Sequence, residues 1–333
     1  MRVNLTKRII KTLMIFLLII LSTINMISCF NSKETVIIYS SAEDYRLEYL
    51  ANRLEEEFPE YNIIIEYMST GNHAAKLLAE GINTECDIIY DLEYGYLAQL
   101  DEKGVLEDLS GYDYSVYLED TIESKNYAVE YRNGGAIIIN TDVLERKGLP
   151  EPASYQDLLK PEYKGLISMP SPKSSGTGYM FLKSLVNAWG EDDAFSYFDK
   201  LTQNILQYTS SGSGPVNALV QGEAAIGLGM TGQAVVKIND GAPLKVLYFD
   251  EGSPYCFYGQ AMIKTKGERE SVRKVFDFLI NTYSYENNEK FFPEKIFKDK
   301  DYTLENYPTN IVYSDMKNNT LSEKQRLLDK WKY

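Results

Sequence analysis

The sequence predicts an α/β protein of two lobes, each a mostly parallel sheet flanked by helices, with crossing strands joining the lobes. Three observations carry this. A chain of 333 residues, at a guide of ~150 residues per domain, makes two lobes with a substantial core. A strand–helix alternation fills its first third, and a second such series begins near Ala136 with no long flexible linker between them. The composition, 44% apolar with 25% charged residues, excludes disordered and collagen-like chains.

Each element follows from its pattern. Val36-Ile37-Ile38-Tyr39 reads as a buried strand, and Ser40 opens a helix, with Ser40 and Glu43 matching a capping box. Leu47, Leu50, Ala51, Leu54 and Phe58 recur at helical spacing until Pro59 ends the run. A strand over Asn62 to Met68, a helix over Ala74 to Glu80, a strand over Asp87 to Tyr90 and a helix over Tyr94 to Asp101 complete a βαβα series.

The second series starts with the strand Ala136 to Ile139, the helix Asp142 to Lys147 and the strand Leu166 to Met169. Helices follow over Gly178 to Trp189, Asp192 to Leu201 and Val216 to Gln221, then a strand over Ala225 to Gly229 and a helix to about Asn239. Strands over Lys245 to Phe249 and Gly259 to Lys264, and helices over Arg269 to Asn281 and Leu321 to Trp331, close the chain. Crossings near Tyr127 to Arg132 and Lys245 to Tyr258 give one lobe of residues 35–130 and 245–283 and another of residues 131–244 and 284–333.

Residues 1–28 read as a secretory signal. Arg2, Lys7, Arg8 and Lys11 precede the apolar run Leu13 to Leu21, and Met26-Ile27-Ser28-Cys29 follows. The competing reading, an uncleaved membrane anchor, needs about 20 apolar residues, and Ser22, Thr23 and Asn25 interrupt the run. Residues 29–34 then form a tether. The whole chain has 34 Lys and Arg against 48 Asp and Glu, a net −14; without its first 28 residues the balance is 30 against 48, a net −18. So acidic a chain argues against nucleic acid or anionic membrane as a partner read by bulk charge.

The three cysteines show no metal spacing. Cys29 ends the leader, and Cys86 and Cys256 sit in apolar runs, read as two buried thiols rather than a disulfide. The sole histidine, His73, beside Gly71 and Asn72, reads as a surface or capping residue rather than part of a Ser/His/Asp set. Enzyme chemistry is poorly supplied, and neither a cofactor nor a metal is expected.

Small hydroxyl residues and glycines, by contrast, gather where helices follow strands: Ser40-Ser41, Ser69-Thr70-Gly71, Ser174-Ser175-Gly176-Thr177, Ser211-Gly212-Ser213 and Thr231-Gly232. A helix start presents free N–H groups and a positive dipole end, and open α/β sheets bind ligands at strand carboxyl ends. Ordinary capping is the competing reading of each site alone. Gly227-Leu228-Gly229-Met230-Thr231-Gly232 also matches the dinucleotide-binding pattern, with Asp250 about twenty residues on, but a nicotinamide cofactor is out of place in an exported chain. Asp91 and Glu93 follow a strand, Arg132 lies at a crossing and Lys173 borders the Ser-Ser-Gly-Thr loop, where solvated charge is the default. Tyr94, Tyr255 and Tyr258 are candidates to line a cleft.

The segments Val36-Ile-Ile-Tyr-Ser-Ser41, Cys86-Asp-Ile-Ile-Tyr90, Ser171-Pro-Lys-Ser-Ser-Gly-Thr-Gly-Tyr179, Tyr208-Thr-Ser-Ser-Gly-Ser-Gly-Pro215 and Gly222-Glu-Ala-Ala-Ile-Gly227 carry a resemblance. From about Thr35 to Tyr333 the chain resembles extracellular solute-binding proteins of ABC importers, in the subgroup named for ferric-ion transport that includes binders of phosphorylated sugars and phosphonates. Residues Met26 to Cys29 resemble the lipobox of bacterial lipoproteins, with Met26 in place of the usual Leu.

The resemblance implies a type II periplasmic-binding-protein fold that encloses a small-molecule solute between its lobes and delivers it to a membrane permease. It also implies export, with lipid on Cys29 holding the protein at the outer face of the cell membrane, or on the periplasmic side where two membranes exist. Ferric-ion binders of the family carry adjacent tyrosines where this chain has Met230-Thr231-Gly232. The expected ligand is therefore a small solute bearing an oxyanion: a sugar phosphate, phosphonate or carboxylate. The ligand positions carried over are Ser40, Ser41, Thr70, Ser174, Ser175, Thr177, Ser211, Ser213 and Thr231. Gly71, Gly176, Gly212 and Gly232 lie in the same loops, and Asp91, Arg132 and Tyr258 are further candidates. A ferric ion or chelate, an exported enzyme and a sensor subunit serving a kinase are the alternatives.

Overall fold

The computed structural model describes residues 33–333; the leader, Cys29 and most of the tether lie outside the described residues. A strand β1 (Thr35–Ser40) leads to helix α1 (Asp44–Glu57), β2 (Asn62–Tyr67), α2 (Thr70–Glu80), β3 (Ile88–Glu93) and α3 (Tyr94–Glu102). β1 pairs in parallel with β2 and β3, as the alternation predicts. Val36 and Ile38 point into the core with no exposed surface, burial that contributes roughly 1.5–3 kcal/mol per side chain.

The long strand β4 (Ala128–Asn140) is the pivot. From Ala128 to Gly134 it runs antiparallel to β9 (Tyr255–Met262), and from Gly135 to Ile139 antiparallel to β7 (Ile226–Met230). Sequence reading gives a strand over Ala136 to Ile139 and a separate crossing near Tyr127 to Arg132; the structure joins the two through Gly134-Gly135, because pairing passes from β9 at Gly134 to β7 at Gly135 without a break. The second series continues with α4 (Thr141–Lys147), β5 (Ile167–Pro170), α5 (Gly176–Trp189), α6 (Glu191–Leu201), β6 (Ile205–Thr209), α7 (Gly214–Val220), α8 (Thr231–Asn239) and β8 (Leu244–Leu247). Strand β6 escapes sequence reading. It is a sheet edge whose residues are only partly buried, and Gln207 and Thr209 dilute its apolar pattern. The chain ends with α9 (Glu270–Phe278), a π-turn over Leu279–Tyr283, α10 (Ser284–Phe291) and α11 (Leu321–Lys330).

One continuous sheet results, in the order β2-β1-β3-β9-β4-β7-β5-β6, with β8 on β4. Two large cores flank the crossing strands. The first gathers α1, β1, β3, α3 and α9; the second gathers β5, α5, α6, β7 and Trp331 after α11. Residues 245–258, grouped by sequence with the first lobe, contribute Phe249, Cys256 and Tyr258 to the second core. Ile296 and Phe297, grouped with the second lobe, pack in the first. A strand that runs along the seam offers one face to each core, which sequence order cannot show.

Two further expectations change. Glu43, not Ser40, precedes the first turn of α1, and no side chain caps that helix; the Ser40 hydroxyl accepts from the Ala42 N–H at 3.1 Å. His73 is neither at the surface nor a cap. It is fully buried in α2, edge-on to Tyr39 at 6.2 Å, with neither ring nitrogen hydrogen-bonded. Burial alone pushes it down to about 3. Cys86 and Cys256 are free buried thiols. Among the described residues, no helix is long and apolar enough to cross a membrane, and no His, Cys, Asp and Glu cluster is placed to hold a metal ion.

Candidate functional site

A cleft lies at the carboxyl ends of the parallel strands, between the two cores. Ser41 and Glu43 enter it after β1, Tyr67, Ser69 and Thr70 at the end of β2, and Asp91 from β3. From the opposite side come Thr177 at the start of α5, the loop Ser211-Gly212-Ser213 after β6, and Met230 at the end of β7; Tyr258 closes the floor from β9. The cavity measures about 20 Å³, room for about one water. Larger hollows, about 430 Å³ beside Ala51 to Ile65 and about 270 Å³ beside Pro293 to Tyr313, are walled by residues close in sequence rather than by several strand ends.

Two helix starts face this space from opposite cores. Ser69 precedes α2 without capping it, and its hydroxyl is buried with no hydrogen-bond partner among the described residues. Ser175 caps α5, its hydroxyl accepting from the Gly178 N–H at 3.4 Å. The seam between them is tight: the Gly71 N–H donates to the Ser174 carbonyl at 3.2 Å. A Cβ on Gly71 would stand 3.2 Å from the Ser174 Cα, closer than ordinary van der Waals contact, so a side chain there requires the Ser174 backbone to shift. Gly71→Ala is expected to weaken solute binding about tenfold by wedging the lobes apart, while the thermal midpoint stays within about 2 °C, as titration calorimetry and thermal unfolding would show.

The carboxylates are held from behind by Arg46 of α1. This guanidinium is 1% exposed and donates to Glu43 at 3.1 Å, to Glu130 at 2.7 Å and to Asp91. Tyr131 and Phe292 cover its faces at 4.4 and 4.7 Å. Asp91 adopts φ 60° at an irregularity in the β3–β9 pairing, and the Ser41 hydroxyl donates to its carbonyl. A non-glycine residue in that region is uncommon and persists where surrounding bonds over-determine it. Burial raises Glu43 and Asp91 against the pull of Arg46, and raises Glu130 to about 8.

Of the residues singled out in sequence, the structure brings Ser41, Thr70, Asp91, Thr177, Ser211, Gly212, Ser213 and Tyr258 to the cleft wall. Gly71, Ser174 and Ser175 form or flank the seam; Gly176 packs against the Tyr258 hydroxyl. Four others stand apart. Ser40 is turned to Ala42, and Thr231 is buried against the Tyr248 hydroxyl at 3.1 Å. Gly232 packs on the Phe292 ring, and Arg132 pairs with Asp120 at 3.2 Å over the rings of Tyr255, Phe257 and Tyr313. The glycines of the apparent dinucleotide pattern make room for Leu219, Val216 and Phe292 side chains rather than for a phosphate. Tyr94 is also outside the cleft, donating to the Thr121 carbonyl. Sequence reasoning missed Glu43, taken there for a cap, along with Tyr67, Met230 and Arg46. The Glu43–Arg46 spacing beside two serines was the available signal.

The sequence model described as "Bacterial extracellular solute-binding protein" matches residues 49–293. The chain belongs to this family. An uncharacterised protein of Haemophilus influenzae is 27% identical over 263 residues, 75% of this chain and 74% of the relative. The spermidine/putrescine-binding periplasmic protein of Escherichia coli is 25% identical over 252 residues, 70% of each chain. Among solved structures, the periplasmic binding protein AfuA from Actinobacillus pleuropneumoniae with fructose-6-phosphate bound is 26% identical, with a TM-score of 0.79 over 90% of this chain and 98% of that one. The solute-binding protein thus has the two-lobed periplasmic-binding-protein fold, and its family binds solutes rather than transforming them.

Proposed function

We propose that this solute-binding protein serves an ABC importer, capturing between its lobes a small hydroxylated solute that bears an oxyanion, such as a sugar phosphate, for delivery to a membrane permease, with lipid on Cys29 as the anchor. The observation that carries the reading is the pair of helix starts, Ser69-Thr70 and Ser175-Gly176-Thr177, that reach one cleft from opposite cores. Their N–H groups and hydroxyls suit oxyanion oxygens. The partnerless Ser69 hydroxyl adds a donor, and Glu43 and Asp91 can accept from sugar hydroxyls. The likeness to AfuA with its fructose-6-phosphate supports the same class. Bonds from both lobes to one solute favour the closed form, which is how binding drives closure.

A second reading has its own observation. Glu43 and Asp91 are the charged side chains on the cleft wall, which suits a polyamine, the ligand class in the name of the Escherichia coli relative. A thermal-unfolding panel with fructose 6-phosphate, spermidine and ferric citrate separates the readings. At 100 times its dissociation constant a ligand adds about 2.7 kcal/mol, a rise of several degrees. Fructose 6-phosphate is expected to give that rise; a shift with spermidine or ferric citrate alone would overturn the oxyanion reading.

A further inference from the structure

We propose that Arg46 is a specificity-determining residue: without touching the solute, it sets which sign of charge the cleft accepts. The geometry is that of one cation serving three carboxylates. Nη1 bonds Glu43 and Asp91, Nη2 bonds Glu130 at 2.7 Å, and Nε reaches the Asn287 side-chain oxygen at 3.4 Å. The rings of Tyr131 and Phe292 hold the guanidinium plane in place. Arg46 is therefore fixed behind the wall and is not one of its lining groups.

Glu130 is fully buried; the Tyr90 hydroxyl and the Asn287 amide donate to its Oε1, and its Oε2 has no partner among the described residues. Burial holds it near 8, so it is largely protonated at neutral pH. Glu43 and Asp91, whose carboxyls burial raises and Arg46 holds down, then share the one positive charge of Arg46. With that compensation the carboxylates act as acceptors for hydroxyls beside an oxyanion site. Without it no cation offsets the two carboxyl groups and burial favours their protonated forms: an ammonium ligand can take the place of the guanidinium, and an oxyanion cannot.

The inference rests on the solute reading above, and the test keeps the two apart. Titration calorimetry of the full-length protein and of Arg46→Gln, each with fructose 6-phosphate and with spermidine, reads both signs. The expected result is a crossing: Arg46→Gln binds fructose 6-phosphate at least tenfold more weakly and spermidine at least tenfold more tightly. A merely structural role would weaken both together, and that outcome, or unchanged affinities, overturns the proposal. Arg46→Lys keeps the charge and is expected to keep the original order of preference; a gain of spermidine affinity in this variant overturns the proposal even where Arg46→Gln does not fold. Should the unaltered protein bind spermidine and not fructose 6-phosphate, the solute reading fails, while the effect of Arg46→Gln on spermidine affinity still decides the role of Arg46.

Discussion

Replacing Lys324 with methionine is expected to raise the dissociation constant of the solute about 100-fold, although Lys324 lies outside the cleft. Lys324 projects from α11, which is fastened to the second core by Leu327 and by ion pairs from Glu323 to Lys183 at 3.4 Å and from Arg326 to Glu191 at 2.6 Å. Its ammonium group donates to Glu93 at the start of α3, in the first core, and lies 3.9 Å from the Tyr96 ring and 4.8 Å from the Tyr179 ring. Both partners are nearly buried, with side chains 4% and 2% exposed. Removing one member of a buried pair typically costs ~3–5 kcal/mol, because the other charge is left without compensation. Here the protein can avoid much of that cost by parting its lobes and letting water reach Glu93. The cost therefore appears as a shift toward the open form, and about 2.7 kcal/mol of it corresponds to 100-fold in affinity. Small-angle X-ray scattering without solute should show a larger radius of gyration for Lys324→Met than for the unaltered protein. The double variant Glu93→Gln with Lys324→Met should recover most of the affinity, since glutamine can still accept from the Gly95 N–H. An unchanged radius together with unchanged affinity would show that this ion pair does not hold the lobes together.

Stability should be highest between about pH 4.5 and 6.5 and fall on both sides. Glu130 is raised from 4.5 to about 8 by burial, so the folded state favours its protonated form. The stabilisation this gives is fully present below pH 4.5 and is lost as pH rises through about 8. His73 is lowered from 6.5 to about 3 by burial. Its contribution is present above pH 6.5 and is lost as pH falls through about 3. Between the two ordinary values the slopes oppose each other. Above that window Glu130 acts alone of the pair, and below it His73 does. Urea midpoints measured from pH 3 to 9 should trace this plateau. Glu130→Gln should make the alkaline limb shallower, and His73→Leu the acid limb; limbs as steep as those of the unaltered protein would assign the losses to other groups.

Much of the architecture was legible because it is local. The apolar runs at Val36 to Tyr39 and Ile226 to Gly229, and the helical spacing from Leu47 to Phe58, fix strand and helix through side-chain period alone. The hydroxyl-bearing loop at Ser69-Thr70 could be placed at a strand end for the same reason. Thr231 and Gly232 have the same local signature, yet α8 turns them toward Tyr248 and Phe292. His73, with polar neighbours in sequence, is carried into the interior by the face of α2 that also buries Ala74 and Leu77. In both cases burial is decided by what packs opposite, and neighbouring residues in the chain carry no record of it.

An α/β chain with two strand–helix series, hydroxyl-rich strand ends and an acidic balance follows from residue order alone, because period, turn chemistry and charge are properties of short segments. Packing sets which ends face one another and what lies behind them. Arg46 meets Asp91 across 45 residues of chain, Glu130 across 84 and Asn287 across 241. The joining of Lys324 to Glu93 spans 231 residues. Contacts at such separations come from the packing of whole elements on a shared sheet, and the interactions that set charge in the cleft and hold the lobes together are of this kind.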